Sequence, residues 1–178
     1  MTWTTPRTWV TAELITASIM NTHVRDNLLH LRGYGEHSCV AFHNATQNVT
    51  AGNTDALNLN SEDYDTSTMH DTVTANNQIT VPVTGKYICV GSSFAANNNN
   101  GGCELQLRVN GTAVRRSQAT SESADFGDRT LHVFGYLSLT AGDDVDLAGL
   151  AGANDVAFGS ATAAMATRLE VVGPFPNP

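Results

Sequence analysis

Four ionisable side chains fall within nine residues and form the densest group of this kind in the sequence: Asp63, Asp65, His70 and Asp71. Carboxylates and an imidazole at this density could hold a metal ion or serve a hydrolase. The stretch lacks the regular oxygen-ligand spacing and the acidic closing residue of a calcium loop. The chain also contains neither a nucleophile elbow nor a phosphate loop. We therefore expect these residues to shape the backbone, with a metal site as the alternative and catalysis third, and we predict that the protein is not an enzyme.

The cysteines Cys39, Cys89 and Cys103 are odd in number, and each lies in an apolar, strand-like context. Free thiols buried as small hydrophobic groups explain this pattern better than a disulfide or a metal site does. No Cys-x-x-Cys or paired-His spacing supports zinc. The six histidines are dispersed, as expected of solvated side chains. The sequence therefore predicts no metal and no cofactor.

The composition argues against two classes of partner. The chain has 178 residues and a net charge of -8, and its nine basic residues are scattered, with Lys86 the only lysine. A phosphate-binding surface needs clustered Lys and Arg. No apolar run approaches the roughly 20 residues that span a bilayer, and the N-terminus lacks the pattern of a secretion signal. We therefore expect no nucleic-acid and no membrane partner. We also expect the protein to act in the compartment where it folds, or to leave the cell as part of an assembly.

The chain divides near residue 35, and the part before it contains the only convincing helix, predicted over residues 17–32. Thr16 is a suitable N-cap, and Gly33 suits the left-handed position after the last turn. Four residues follow the 4-3-4 spacing of a coiled-coil seam, namely Met20, Val24, Asn27 and Leu31. Ile19 and Leu29 lie off that stripe, which indicates a helix packed on two sides.

The segment ahead of the helix contains Trp3, Pro6 and Trp9, and thus both tryptophans of the chain. The segment is too short to form a core of its own. Large aromatic side chains on such a tail indicate docking onto another protein. We therefore predict an N-terminal attachment segment over residues 1–35 and a separate domain over residues 36–178.

After residue 35 the apolar pattern changes to period two, which is typical of strands. Glu104 to Val109 alternates strictly and is followed by Asn110-Gly111, the signal of a type I′ hairpin. Residues 130–140 place Leu131, Val133, Leu137 and Leu139 on one face, and Phe134 and Tyr136 on the other. Many short strands with turns between them predict a β-sandwich or barrel.

The domain over residues 36–178 resembles the C1q/TNF-like jelly roll. Asp63-Tyr64-Asp65, followed by Ile79-Thr-Val-Pro-Val-Thr-Gly85-Lys-Tyr87, is similar to the family's entry into its long strand. Leu137-Ser-Leu139-Thr-Ala-Gly142-Asp143-Asp-Val145-Asp-Leu147 is similar to its Gly-Asp turn. The predicted fold class is therefore mainly β, a jelly-roll β-sandwich of C1q/TNF-like type with one N-terminal α-helix.

This resemblance implies a homotrimer that associates through the outer face of one sheet. It assigns Phe134 and Tyr136 to that interface, the alternative being an ordinary surface pair of aromatics. Together with the helical seam, the predicted trimer interface consists of Met20, Val24, Asn27, Leu31, Phe134 and Tyr136.

The N-terminal segment resembles a recurrent pattern of tailed-phage virion proteins. The matching residues are Thr2-Trp3, Pro6, Thr8-Trp9, Thr16-Ala17, Met20-Asn21 and Val24-Arg25-Asp26-Asn27-Leu28. The resemblance implies a virion component that contacts other virion proteins of the tail, baseplate or capsid through Trp3, Pro6, Trp9, Ile19 and Leu29. A tail or fibre role, with a host-surface polysaccharide as a candidate ligand, is slightly favoured over capsid decoration. The alternative is a secreted carbohydrate-binding or C1q-like ligand module.

Overall fold

The computed structural model describes residues 4–28, 36–97, 102–119, 129–162 and 165–175. The described part of the chain is mainly β, with one helix near the N-terminus. That helix begins as α1 (Ala17–Met20) and continues as a π-helical turn (Asn21–Arg25). The strands of the described part are β1 (His37–His43), β2 (Gln47–Val49), β3 (Thr54–Ala56), β4 (Ser61–Asp65), β5 (Gln78–Thr80), β6 (Gly85–Asn97), β7 (Cys103–Val109), β8 (Thr112–Ala119), β9 (Arg129–Leu139), β10 (Asp144–Ala151), β11 (Val156–Phe158) and β12 (Thr167–Phe175).

The helix starts as predicted, and a π-helical turn then interrupts the regular α-helical spacing that the predicted seam assumes. The Thr16 hydroxyl oxygen accepts a hydrogen bond from the Ile19 amide at 3.3 Å, which confirms the N-cap. Helical conformation then continues to Leu28, the last described residue of this segment. The π-helical turn bonds i to i+5, so Met20 and Asn27 leave the common stripe: Met20 is exposed and Asn27 is buried. Leu29 and Leu31 lie outside the described residues.

Two antiparallel sheets form the sandwich. In sheet A, β6 pairs along most of its length with β9, and its opposite edge pairs first with β12 and then with β11. Beyond β12 follow β1 and β4, and β2 pairs with β11. Sheet B has the order β3–β10–β7–β8, with β5 pairing the first part of β10.

The core lies between the sheets because successive side chains of a strand point to opposite faces. In β9, Leu131, Val133 and Leu139 are buried, as their alternation predicts. They meet the inward side chains of sheet B, among them Leu107. The β7–β8 connection also agrees with the sequence, since Asn110 and Gly111 both have positive φ, as a type I′ turn requires.

The glycine and the tyrosine of the Gly-x-Tyr motif at the start of β6 each have a structural role. The Tyr87 ring is fully buried, and its hydroxyl donates a hydrogen bond of 2.7 Å to the Val83 carbonyl, which ties the strand to the turn before it. A Cβ at Gly85 would lie 2.3 Å from the Pro174 Cβ. The glycine therefore permits a close approach of β12 that another residue would block.

Candidate functional site

The outer face of sheet A carries rows of apolar side chains that cross its strands. One row follows from the strand register: Phe134 on β9, Val90 on β6, Glu170 on β12, Val40 on β1 and Tyr64 on β4. The neighbouring row is Tyr136, Ile88, Val172 and Ser38. Glu170 is the single carboxylate among these nine positions. This face is called the assembly face below.

The aromatic side chains predicted for the trimer interface stand on the assembly face and are open to solvent. Phe134 is 59% exposed and Tyr136 is 47% exposed. Val90 and Tyr64 are exposed as well. Val40, in the same row, is buried. Exposed aromatic and aliphatic side chains grouped on one face of a folded domain are typical of an interaction surface. The predicted orientation of Phe134 and Tyr136 is thus confirmed, and their part in a trimer remains a prediction.

Charged groups frame this apolar surface. The Lys86 ammonium lies 5.9 Å from the centroid of the Tyr136 ring, a cation–π contact. At the far side, Arg168 forms an ion pair of 2.6 Å with Asp63, and both side chains are exposed. Partial burial and the Glu170 carboxylate raise the pKa of the Tyr64 phenol. No sequence pattern indicated that β4 would bring Asp63 and Tyr64 to this face.

The outer face of sheet B is polar, and its side chains form hydrogen bonds with one another. The Gln106 side chain donates a hydrogen bond of 2.6 Å to Glu104, and the Arg108 guanidinium donates one of 2.5 Å to Asp146. Burial raises the pKa of Asp146, and the bond from Arg108 acts in the opposite direction. Because these polar groups have partners and little apolar surface accompanies them, sheet B is the weaker candidate for association.

The acidic cluster of the sequence is divided among separate turns. Asp65 accepts hydrogen bonds from the amides of Ser67 (3.0 Å) and His70 (2.9 Å). Asp71 accepts from the amides of Val73 and Thr74 and from the Thr74 hydroxyl, and these bonds lower its pKa. These contacts give both carboxylates the structural role that was expected. Across the described ranges, no group of three ligating side chains could hold a metal ion.

The prediction that the histidines are solvated is wrong for His70. Its side chain is buried, and Nδ1 lies 2.9 Å from a Glu62 carboxylate oxygen. His70 pairs with Ile79 through a backbone bridge, which draws its ring inward. Ser61–Asp65 is polar apart from Tyr64 and shows no apolar alternation, so the sequence carried no signal for β4 or for the pairing of His70 with Glu62.

The cysteines are free and buried, as predicted. Burial raises the pKa of Cys39 and of Cys89 to about 12, with Asp65 and Glu62 adding to the effect at Cys39. Cys39 and Cys89 are both register partners of Val171 on β12. They therefore lie two strands apart, roughly 9.6 Å, which is beyond the reach of a disulfide.

A side chain of the helix fastens the N-terminal segment. The Asn27 Oδ1 accepts a hydrogen bond of 3.0 Å from the Thr4 amide, and its Nδ2 donates one of 2.9 Å to the Thr4 carbonyl. Nδ2 also donates to the His23 carbonyl at 3.3 Å. The polar atoms of the Asn27 side chain thus have partners within the same chain, and its place in a trimer interface stays a prediction. The assignment of Met20 and Val24 to an interface stays a prediction.

The same segment exposes large apolar side chains. Of the predicted docking residues, Pro6 and Trp9 are exposed and Ile19 is half-buried, while Trp3 and Leu29 lie outside the described residues. The Arg7 guanidinium lies 5.3 Å from the Trp9 ring and pairs with Glu13. Sequence reasoning missed further exposed apolar residues of the segment, namely Val10, Leu14, Ile15 and Leu28. No helix in the described part is long and apolar enough to cross a membrane.

No protein-family model and no curated protein matches the sequence. Solved structures do match it. The globular domain of zebrafish complement 1qA is 14% identical, with a TM-score of 0.55 over 79% of this chain and 99% of that chain. Eiger TNF from S. frugiperda is 15% identical, with a TM-score of 0.59 over 83% of this chain and 96% of that chain. Murine APRIL at pH 8.5 is 11% identical, with a TM-score of 0.55 over 76% of this chain and 98% of that chain.

At identities this low, similarity shows the fold alone. The similarity extends over nearly the whole of each solved structure. It agrees with the two antiparallel sheets and the long strand β6 seen in this chain. The predicted fold class is therefore confirmed: the chain forms a C1q/TNF-like jelly-roll β-sandwich preceded by one short helix.

Proposed function

We propose that the protein is a non-enzymatic, homotrimeric binding and assembly module, built as a bacteriophage virion component. The observation that carries the trimer is the apolar assembly face, with Phe134 and Tyr136 exposed at its edge strand. The C1q/TNF-like fold supports this reading, because such domains are expected to associate through that sheet. Three copies closing on this face would remove its exposed aromatic surface from water.

Sedimentation velocity over a concentration series tests the trimer. A species of three times 18.9 kDa is expected at micromolar concentration. A monomer that persists at high micromolar concentration would contradict the proposal, because an interface of standard size would be populated there.

The virion role rests on the N-terminal segment. Trp9, Leu14 and Ile15 expose apolar surface that the chain itself leaves uncovered, as an anchor requires. Together with the sequence pattern, this supports attachment to tail, baseplate or capsid proteins. A tail or fibre role is preferred to capsid decoration, because in the virion proteins that the segment resembles this pattern precedes different domains. A host-surface polysaccharide would then be the candidate ligand of the β domain.

Two experiments test this role. Mass spectrometry of separated heads and tails should find the protein in tails, whereas a decoration protein would be found in heads. Deleting residues 1–32 should leave a folded β domain that no longer enters particles. Normal incorporation of the shortened chain would show that the segment is not the anchor.

The fold also suits a second function, a secreted C1q-like ligand or carbohydrate-binding module. Its support is the similarity to complement 1qA and to the TNF-like structures. The two functions differ in where the trimer is found. A virion component sediments with particles, whereas a secreted ligand remains as free trimers in the medium.

A further inference from the structure

Glu170 is a carboxylate set among apolar neighbours on the assembly face. Its register partners are Val90 on β6 and Val40 on β1, and it lies on β12 near the middle of sheet A. The side chain is half-buried already in the single chain. Within the described ranges, no hydrogen bond or ion pair reaches this carboxylate, and its negative charge acts on the nearby Tyr64 phenol.

A second copy seated on this face would desolvate Glu170. A buried charge without a partner costs several kcal/mol, and a cation on the incoming surface would offset that cost. Arg168, the nearest base on the same strand, is already paired with Asp63. The sequence offers a single lysine, Lys86, and its ammonium lies on the assembly face.

Lys86 and Glu170 of one chain are poorly placed to pair with each other. Lys86 precedes Val90, the register partner of Glu170, by four residues, which is about 13 Å along β6. The ammonium also leans over Tyr136 on β9, whereas Glu170 lies on β12 at the opposite side of β6. The face thus presents a cation at one end and an anion at its centre, both without a partner of opposite charge in the described part of the chain.

A cyclic trimer joins two different parts of the same face at each contact, because its interfaces are heterologous. We propose that Lys86 of each copy pairs with Glu170 of the next, so that three such ion pairs set the rotational register of the trimer. This inference rests on the trimer of the proposed function. The complementary charges of Lys86 and Glu170 are the reason why a second copy of the chain would bind this face. The Tyr136 ring stacks on the lysine and holds it ready for that contact.

Charge exchange in the full-length chain tests the pair by sedimentation velocity. Glu170→Lys and Lys86→Glu each place like charges at every contact, and each should weaken association by at least about tenfold per interface. The double variant restores opposite charges and should recover most of the lost affinity. Matched controls on sheet B, Asp55→Lys and Arg115→Glu, change the net charge equally and should associate like the unchanged protein. Circular dichroism establishes that each variant is folded.

The outcomes separate this inference from the trimer itself. If the unchanged protein is a monomer, both proposals fail. If it is a trimer and the double variant associates no better than the weaker single variant, the ion pair is wrong and the trimer stands. Should a charge-reversed chain not fold, Glu170→Gln, Lys86→Gln and their combination give the coupling instead. Additive effects of the two neutral changes would overturn the pair.

Discussion

Asn27 and Thr4, 23 residues apart, exchange two hydrogen bonds: the Thr4 amide donates to the Asn27 side-chain oxygen, and the Asn27 side-chain amide donates to the Thr4 carbonyl. The Asn27 side chain thus bonds to the Thr4 backbone as a neighbouring β-strand would, with one accepted and one donated hydrogen bond. Asn27 is only 5% exposed, so water competes little for these bonds. The pair closes residues 4–27 into a loop, and the exposed Trp9 and Leu14 lie within that loop.

Replacing Asn27 with leucine should loosen the N-terminal segment. The Thr4 amide and carbonyl would lose their partners, at a cost of about 1–1.5 kcal/mol. Amide hydrogen exchange at Thr4 should then accelerate roughly tenfold, while amides of the β-sandwich keep their protection. Slower exchange in Asn27→Leu, together with a stronger trimer, would instead place Asn27 in an apolar seam between copies.

Replacing Tyr136 with aspartate should weaken trimerisation and leave the single chain folded. The change puts a charge on the assembly face and removes an aromatic contact, which costs about 2 kcal/mol or more at an interface hot spot. Light scattering measures the assembly, and circular dichroism measures the fold. Val133→Asp is the contrasting variant on the same strand, and it should unfold the chain because Val133 is buried. Equal loss of fold in both variants would mean that Tyr136 belongs to the core.

A methyl group added at Gly91 should destabilise the sandwich. A Cβ at this position would lie 2.4 Å from a Leu147 methyl carbon and 2.8 Å from one of Val133. Overpacking of this kind costs about 1–3 kcal/mol. Urea denaturation of Gly91→Ala measures the loss. Ser92→Ala, one residue further along the strand and facing outward, should stay within about 0.5 kcal/mol of the unchanged protein.

The stability of the domain should fall above pH 9, partly because of Cys89. Burial raises the pKa of this thiol from 9.0 to about 12. The folded state therefore keeps a proton that the unfolded state releases, so the contribution of the thiol is complete below pH 9 and is lost as the pH rises towards 12. At pH 10 the loss from this group is about 1.4 kcal/mol. Urea denaturation at pH 8 and pH 10 should show a smaller decrease for Cys89→Ala, and an identical decrease would show that the thiol does not contribute.

Features with a local cause could be predicted from the sequence. The alternation in Arg129–Leu139 placed Phe134 and Tyr136 opposite the buried Leu131 and Val133, and Asn110-Gly111 identified its hairpin turn. A period of two residues needs only the geometry of one strand.

Features that depend on distant contacts could not be predicted. The partner of Asn27 lies 23 residues away, and the burial of His70 depends on Glu62 and on a bridge to Ile79. Strands β2, β3 and β11 have three residues each, too few for an alternating pattern to be recognised. The π-helical turn at Asn21–Arg25 broke a heptad spacing that assumes regular α-helix throughout.

The position of β12 has a consequence for synthesis. Strand β12 lies between β6 and β1 in sheet A. All of β1 pairs with it, from His37 opposite Gly173 to His43 opposite Thr167. A nascent chain that lacks β12 holds β1 and β6 without the strand that joins them, so the central rows of sheet A do not yet exist. Glu170 and Val172 join those rows only when the ribosome has released this segment. A nascent chain therefore carries no complete assembly face before β12 has emerged.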